Sequence, residues 1–565
     1  MVTVHDTWER VFDGSAQADL EEAFPVFLRS SRWFGGKAKS IHSARISDSL
    51  RLRLGDATMV LGFIRVAYAE GGTETYAVPM TAAFGPQAER IREQYGNSII
   101  TPLSFIDEQG LHKGLLYDAM WSADCVYALL NCMGRHVEAT GGTGALVSSA
   151  TVHFDRLAVD PSTAPASVMK AEQSNTSVKF GERAIMKLYR RVEPGVNPEL
   201  EIGRVLTART FRHSPGLIGA LEYSRENDAP ITLALAQTYI ANEGDAWNHT
   251  LRRLSRYFEC VSGLSTGPAA GMSSSNPSVS PPPDMALWEQ LSDFLHRADL
   301  LGRRTGELHR TLAQPCSDPA FAPEAGTASY LHSRSTAMGR SARRALDLLR
   351  NRFQTLSEPD RRQAELVLSF EHDILSRLGL LTTIPLSAML IRCHGDYHLG
   401  QVLDTGTDYV IIDFEGEPAK PLAERRAKHL PIVDLAGMIR SFHYASHVAL
   451  RQYRETHSIE PKVRGLETWA YQWYRSVRMA FLAGYRAVAG EAAFCPQSPD
   501  SFALLLNVHV LEKALYELTY ELNNRPDWVA VPLSGILHTL DASAGSPDPK
   551  EAVSENDDYD PCSMR

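Results

Sequence analysis

RCHGDYHLGQVLDTGTDYVIIDFEGEP, residues 392–418, decides how this chain reads. It sets acids, His394, His398 and Gln401 on either side of the β-branched apolar run YVII, with Asp413 at the end of that run. QVLD, a polar Thr-Gly-Thr turn and YVIID predict an antiparallel hairpin, which would bring Gln401 and Asp413 near one another. Singly, Asp396 reads as a turn cap and Asp413 as a strand end. The conjunction of HxDxxxxQ, a β run and DFE is far more specific, and it makes both acids candidates for chemistry.

Working outward, the hairpin lies among helices. DMALWEQLSDFLHRADLLGRRTGELHRTL, residues 334–380, PIVDLAGMIRSFHYASHVALRQY, ETWAYQWYRSVRMAFLAGYRA and SFALLLNVHVLEKALYELTYELNN all carry 3.6-residue periodicity. The earlier half is β-rich. From about 40 to 120, alternating runs such as TMVLGFIRVAYA and GLLYDAM predict an antiparallel sheet. SVKF, a Gly181-Glu182 turn and AIMKLY predict one hairpin, and LIGALEYS with ITLALAQTYI another. Between them Asn197 as N-cap, Pro198 at the first helical position and Ile202, Val205 and Leu206 predict a helix. A β lobe, a hinge strand and a helical lobe with one acidic hairpin is the layout of a bilobal kinase, an α+β, protein-kinase-like fold.

Residues 262–284 and 541–565 are too polar and proline-rich to pack, and predict a flexible insertion and a disordered acidic tail. A formal net charge of −10 over 565 residues gives no basic field for nucleic acid or an anionic membrane. The N-terminal stretch does not read as a secretory signal and no run reaches 18 apolar residues, so a cytoplasmic protein is expected. Seven scattered cysteines, none in CxxC spacing, predict reduced structural thiols.

Phosphoryl transfer needs a cation on the nucleotide phosphates, a cradle, an orienting lysine and a carboxylate at the attacking hydroxyl. Magnesium takes hard oxygen ligands, which Asp413 and Gln401 could supply. Asp396 is then the base facing the acceptor hydroxyl, with His394 bracing its loop. Ser174, Asn175, Thr176 and Ser177 of EQSNTSV could present backbone N–H groups to phosphates as a nest, or form a plain turn. Lys187 lies inside AIMKLY; strand parity puts Ile185 and Tyr189 on its face, compatible with an outward lysine or with one bound to phosphates and held by an acid of the following helix. Glu201 is the preferred acid, Glu199 the rival. Gln237 and Tyr239, at the hinge, complete the nucleotide contacts. Asp434 is expected to cap its helix or accept amides of the catalytic loop, and Arg425 and Arg426 to pair with Glu415, Glu417 or Glu424.

In the last long helix Leu511, Ala514, Leu515, Leu518 and Leu522 form an apolar stripe. Lys513, Tyr516, Glu517, Tyr520, Glu521 and Asn524 recur on the other face, with Arg525 and Trp528 beyond the helix end. Aromatic planes mixed with hydrogen-bonding groups suit a sugar; a solvated face is the plain alternative. His398 joins this set as a substrate contact.

FLRSSRWFGGKAKSI (27–41), EQSNTSV, MKLYRRVEPGVNPELEI, HGDYHLGQVL, IIDFEGEPAKPLAERRAKHLPIVDLAGMIRSFHYA and LEKALYELTYELNNRPDW together resemble the bacterial maltokinases, including the kinase region fused to some trehalose synthases. The resemblance implies an aminoglycoside-phosphotransferase-like fold with an N-terminal α/β cap. The expected division is a cap over 1–135, a β-rich part over 136–245, a helical lobe over 246–540 and the tail. It also implies ATP and Mg2+ as cofactors, and transfer to the anomeric hydroxyl of maltose, feeding α-glucan synthesis from trehalose. Asp396 would be the base, Gln401 and Asp413 the metal ligands, residues 174–177 the phosphate loop and Lys187 the phosphate-orienting lysine. A separate trehalose synthase is a candidate partner, and a monomer or weak homodimer is expected. A glucosamine kinase, or a non-catalytic sugar- or nucleotide-binding module, are the rival readings.

Overall fold

The computed structural model describes residues 2–54, 57–135, 139–140, 142–157, 159–169, 174–262, 285–457 and 465–541. The expected insertion beyond Ser262, the tail beyond Asp541, Glu172 and Gln173 of EQSNTSV and Cys562 lie outside the described residues. The chain forms two compact units, one of residues 1–242 and 410–425, the other of 243–409 and 426–565.

The first unit carries two sheets. Its eight-stranded sheet runs Val2–His5, Ile99–Asp107, Gly110–Asp118, Thr73–Phe84, Ala57–Tyr68, Ile41–Leu54 and Ala139–Thr140, with Arg191–Val192 joined to Thr73–Phe84. The first pair is parallel and the others antiparallel. The alternation read from TMVLGFIRVAYA has two buried faces. Val60, Ile64 and Val66 pack with Phe24, Leu28 and Phe34, while Met59, Leu61 and Phe63 join the core of the second sheet. That second, six-stranded sheet runs Ala145–Ala150, Leu217–Ser224, Ile231–Thr238, Ala184–Leu188, Thr176–Phe180 and Ala166–Val168. Both predicted hairpins are present, and the predicted helix is Pro198–Ala208, with Asn197 Oδ1 accepting the Glu199 amide at 2.8 Å.

Arg190 fastens the first sheet to the second. Its guanidinium is wholly buried, donates to Asp118 at 2.5 Å and to Thr176 Oγ1 at 2.8 Å, and lies 4.5 Å from the Trp33 ring centroid. A buried guanidinium survives only with such partners.

The second unit is helical. Ile432–His457 is its central helix, buried along most of its length, where apolar and small residues surround the partnered Asp434 and Arg440, and it packs against Ala246–Ser262, Leu466–Ala489 and Pro499–Asn524. Met285–Leu312 crosses Leu466–Ala489 closely enough that a Cβ at Gly302 would fall 2.0 Å from the Phe481 carbonyl and one at Gly484 2.0 Å from that of Asp299. Among the described residues no helix is long and apolar enough to cross a membrane.

Candidate active site

In the first unit the reactive groups gather around Lys187. Its side chain projects from the middle of Ala184–Leu188 and is buried, 7% exposed, so the outward alternative does not hold. The ammonium lies 2.6 Å from Asp413 Oδ1, 2.5 Å from Glu415 Oε1 and 3.0 Å from Glu199 Oε2. Burial alone would pull a lysine pKa down; Asp413, Glu199 and Glu415 outweigh it and hold the ammonium well above its ordinary value. Burial pushes Glu199 up to about 7 against the opposing pull of Lys187, and Tyr189 donates to it at 2.7 Å.

The partner acid is therefore Glu199, not the preferred Glu201. Glu199 stands three residues before Ile202 and seven before Leu206, on the buried stripe of the helix, and is 2% exposed. Glu201, two residues on, is rotated by about 200° around the axis. Arg425 also departs from expectation. It pairs with Glu193 at 2.5 Å and gives a second N–H to the Glu415 carbonyl at 3.3 Å, rather than to a carboxylate of Glu415, Glu417 or Glu424.

The nest expected at residues 174–177 is not formed as such. Thr176 and Ser177 already belong to the strand Thr176–Phe180, which fixes their backbone in the ladder. Asn175 is held by its side chain, donating to Glu415 at 2.9 Å and accepting from the Arg190 amide at 3.4 Å, and Ser174 is exposed. At the hinge Gln237 pairs through its backbone with Ile185 and Leu217, and the Tyr239 ring lies under Lys179, 4.1 Å from its ammonium.

The carboxylate oxygens of Glu199, Asp413 and Glu415 lie within 4.8 Å of one another. Three acids face one ammonium, a formal balance of −2 when all are ionised, and hard oxygens at that spacing suit a divalent cation. Asp413 sits at φ 65°, a left-handed conformation that aspartate tolerates better than most residues.

In the second unit the HGDYH loop rests on Asp434. Its carboxylate accepts the His394 amide at 2.8 Å, the Gly395 amide at 2.9 Å and His309 Nε2 at 3.0 Å, and His309 in turn meets the Tyr485 hydroxyl at 3.1 Å. Burial would raise this carboxyl; His309, His394 and the loop amides hold it below its ordinary value. Gly395 turns the loop at φ 84°, a conformation that favours glycine. Asp396 follows half-buried, its own amide 3.4 Å from His394 Nδ1 and its Oδ1 3.5 Å from Lys513 Nζ. His398 accepts the Gly400 amide at 3.0 Å and so caps the short turn Leu399–Gln401.

The face expected on Pro499–Asn524 divides in two. Tyr516 and Tyr520 are exposed, beside Lys513 (4.7 Å to the Tyr516 ring) and Arg525 (5.3 Å to the Tyr520 ring), with Trp528 5.0 Å from Arg525. Glu517 and Glu521 turn inward. Glu517 pairs with the buried Arg440 at 2.7 Å, and Glu521, 1% exposed, accepts from Tyr444 at 3.1 Å and Arg525 at 2.7 Å. Each lies three residues after Ala514 or Leu518, on the edge of the apolar stripe. Asn524 is exposed and donates to the Tyr520 carbonyl at 2.8 Å.

Strand parity had placed Tyr189 on the face of Lys187, but several groups here escaped sequence reasoning: Glu415 in the lysine cluster, Arg190 with Asp118, His309 with Tyr485, and Arg440. Glu415 alone left a usable signal, its i, i+2 spacing from Asp413.

Residues 27–121 match the maltokinase N-terminal cap domain family. The chain is 26% identical over 376 residues to a glucosamine kinase of Mycolicibacterium smegmatis, 66% of this chain and 78% of that protein. It is 25% identical over 370 residues to a glucosamine kinase of Streptacidiphilus jiangxiensis, 64% and 70% respectively. The structure of a glucosamine kinase in complex with glucosamine, ADP and inorganic phosphate shares the fold, with TM-score 0.59 at 18% identity over 92% of this chain and 98% of that one.

Proposed function

We propose that this chain, a member of the superfamily that joins the maltokinases to the aminoglycoside-phosphotransferase-like kinases, is an ATP-dependent sugar kinase that phosphorylates the anomeric hydroxyl of maltose. The observation that carries the kinase reading is the buried Lys187 held by Glu199, Asp413 and Glu415, with a braced HGD loop in the same chain. Asp396 takes or orients the acceptor proton, so the hydroxyl oxygen attacks the terminal phosphorus as its bond to the leaving ADP oxygen breaks. Lys187 orients phosphate oxygens. Asp413 would hold magnesium, which when bound would neutralise phosphate charge.

Maltose is favoured by the resemblance over LEKALYELTYELNNRPDW and by the exposed Tyr516, Tyr520 and Arg525 with the half-buried Trp528, which offer ring planes and donors beyond the first sugar ring. Glucosamine is the second reading, favoured by the two relatives of that name. ADP release with ATP and magnesium across maltose, glucose, glucosamine and trehalose, with phosphorus NMR of the product, decides between them. A maltose-dependent anomeric phosphate is expected. Tyr520→Ala and Arg525→Ala should each raise KM for maltose about tenfold, the loss of one stacking or hydrogen-bonding partner. Turnover on glucosamine alone would replace the acceptor, and no turnover with any sugar would leave a binding module.

A further inference from the structure

The stretch FLRSSRWFGGKAKSI has no part in the chemistry above, yet its Trp33 and Gly35 help line a cavity of about 250 Å³ in the first unit. Glu193 and Asn197, from the segment that leads into the Pro198–Ala208 helix, line it too, as do Glu415 and Arg425. We propose that this cavity is a second saccharide-binding site, whose occupant acts on Lys187 through Glu415. It is built wholly from the first unit, whereas the acceptor contacts proposed above belong to the second. Its effect on the nucleotide rests on the kinase reading of Lys187.

The chemistry of the lining selects a neutral, hydroxyl-rich ligand. Arg191 and Arg425 are balanced by Glu193 and Glu415, so there is no net field for a phosphate, which would meet two carboxylates. Arg425 is nine-tenths buried and satisfied at both terminal nitrogens, by Glu193 and by the Glu415 carbonyl, while its Nε has no partner among the described residues. Glu415 divides its oxygens: Oε1 is taken by Lys187 and Asn175, while among the described residues Oε2 makes a loose 3.5 Å contact with Asn197 Nδ2. A hydroxyl accepting from Asn197 and donating to Glu415 would replace that contact with two good ones. Trp33, fixed beneath Arg190, supplies the apolar surface that the C–H groups of a sugar ring need.

A hydroxyl donating to Glu415 draws its charge away from Lys187 and leaves the ammonium freer for phosphates. Binding of a non-hydrolysable ATP analogue should then tighten about fivefold, the low end of measured site-to-site couplings.

The test uses the full chain carrying Asp396→Ala, which stops turnover, and hydrogen exchange with maltose, maltotriose, glucose, glucosamine or inorganic phosphate. At least one saccharide is expected to slow exchange over 27–41 and 415–425. Gly35→Leu should abolish that protection while sparing any over 513–528; its added Cβ meets nothing nearer than the Tyr76 hydroxyl at 3.7 Å, so the backbone accommodates it while the side chain fills the cavity. Glu193→Gln, which leaves the volume intact, should weaken the protection. Protection absent from 27–41 and 415–425 with every sugar, surviving in Gly35→Leu, or produced by phosphate alone would overturn the proposal. Failure of the kinase reading shows separately, as wild-type protein that releases no ADP with any sugar.

Discussion

Asp434→Asn tests whether the loop carrying Asp396 is positioned from beneath. The wild-type carboxylate accepts from the His394 amide, the Gly395 amide and His309 at 2.8, 2.9 and 3.0 Å, in a site 1% exposed. The amide keeps one oxygen and turns an NH2 toward groups that were donors. His309 can answer by shifting its proton to Nδ1, where the Tyr485 hydroxyl is 3.1 Å away. A backbone amide has no such freedom, so one of the two loop N–H groups is left unpaired. Losing one charge-assisted bond costs about 1.5–3 kcal/mol and stranding its buried donor about 1–3 more. An effect of about 3–5 kcal/mol is expected, shared between unfolding of the second unit and displacement of the loop. Urea denaturation reads the first part and steady-state ADP release the second. We expect kcat to fall at least tenfold, the rate equivalent of about 1.4 kcal/mol, with KM for ATP within about twofold. The wild-type carboxyl sits below its ordinary 3.8, so its stabilisation is present above that pH and lost as pH falls through the lower folded value. Unchanged kcat and an unchanged denaturation midpoint would refute the reasoning.

Lys187→Met strands Glu199, Asp413 and Glu415 without their ammonium. Glu199, already pushed up to about 7 by burial, loses the opposing pull of Lys187 and takes up its proton at higher pH still, so the variant should gain stability as pH is lowered from 8 to 5.5, and calorimetry at the two pH values checks it. Arg440→Met leaves Glu517 buried and unpaired and should cost about 3–5 kcal/mol in denaturant unfolding; adding Glu517→Met should restore most of it, because replacing both partners removes both desolvation penalties. The His443 and His447 rings lie tilted to one another with centroids 4.5 Å apart, near His538 and Arg440, and burial pushes His447 down to about 3 and His443 well below 6.5. Depressed imidazoles favour the fold while neutral, so stability should decline as pH drops below 6.5, by about 2 kcal/mol per ring at pH 5. His443→Leu with His447→Phe should flatten that decline in thermal unfolding curves.

Periodicity carried most of the fold. The strands around Ala57–Tyr68 were legible because apolar residues alternate with other small or apolar ones, but the alternation could not say that both faces are covered. That depends on Phe24 and Leu28 arriving on one face and the core of the six-stranded sheet on the other, which are long-range facts. The helix Pro198–Ala208 was legible to its first residue because Asn197 and Pro198 mark an end by local chemistry that needs no tertiary partner. Arg190 gave no local sign of its role: in MKLYRRVEP two arginines stand together, and only the distant Asp118 and Trp33 distinguish the buried one from Arg191, which is exposed.

The site divides along the same line. The place of Asp434 after Pro431 admits two structural tasks, helix cap or acceptor of loop amides, and only the fold decides for the second. The choice between Glu199 and Glu201 was decidable in principle: a lysine on a strand meets the helix face that packs, and Ile202 and Leu206 mark that face, which Glu199 shares and Glu201 does not. The same rule divides the last helix. Glu521 follows Leu518 by three residues and Ala514 by seven, so it belongs to the apolar stripe despite its charge, and a glutamate in that place implies a buried donor to meet it. Tyr444 and Arg525 are those donors. A charged residue on the buried stripe of a helix is thus better assigned to the packing than to the ligand, which leaves the exposed Tyr516, Tyr520 and Arg525, with the half-buried Trp528, as the candidates on that face for a sugar contact.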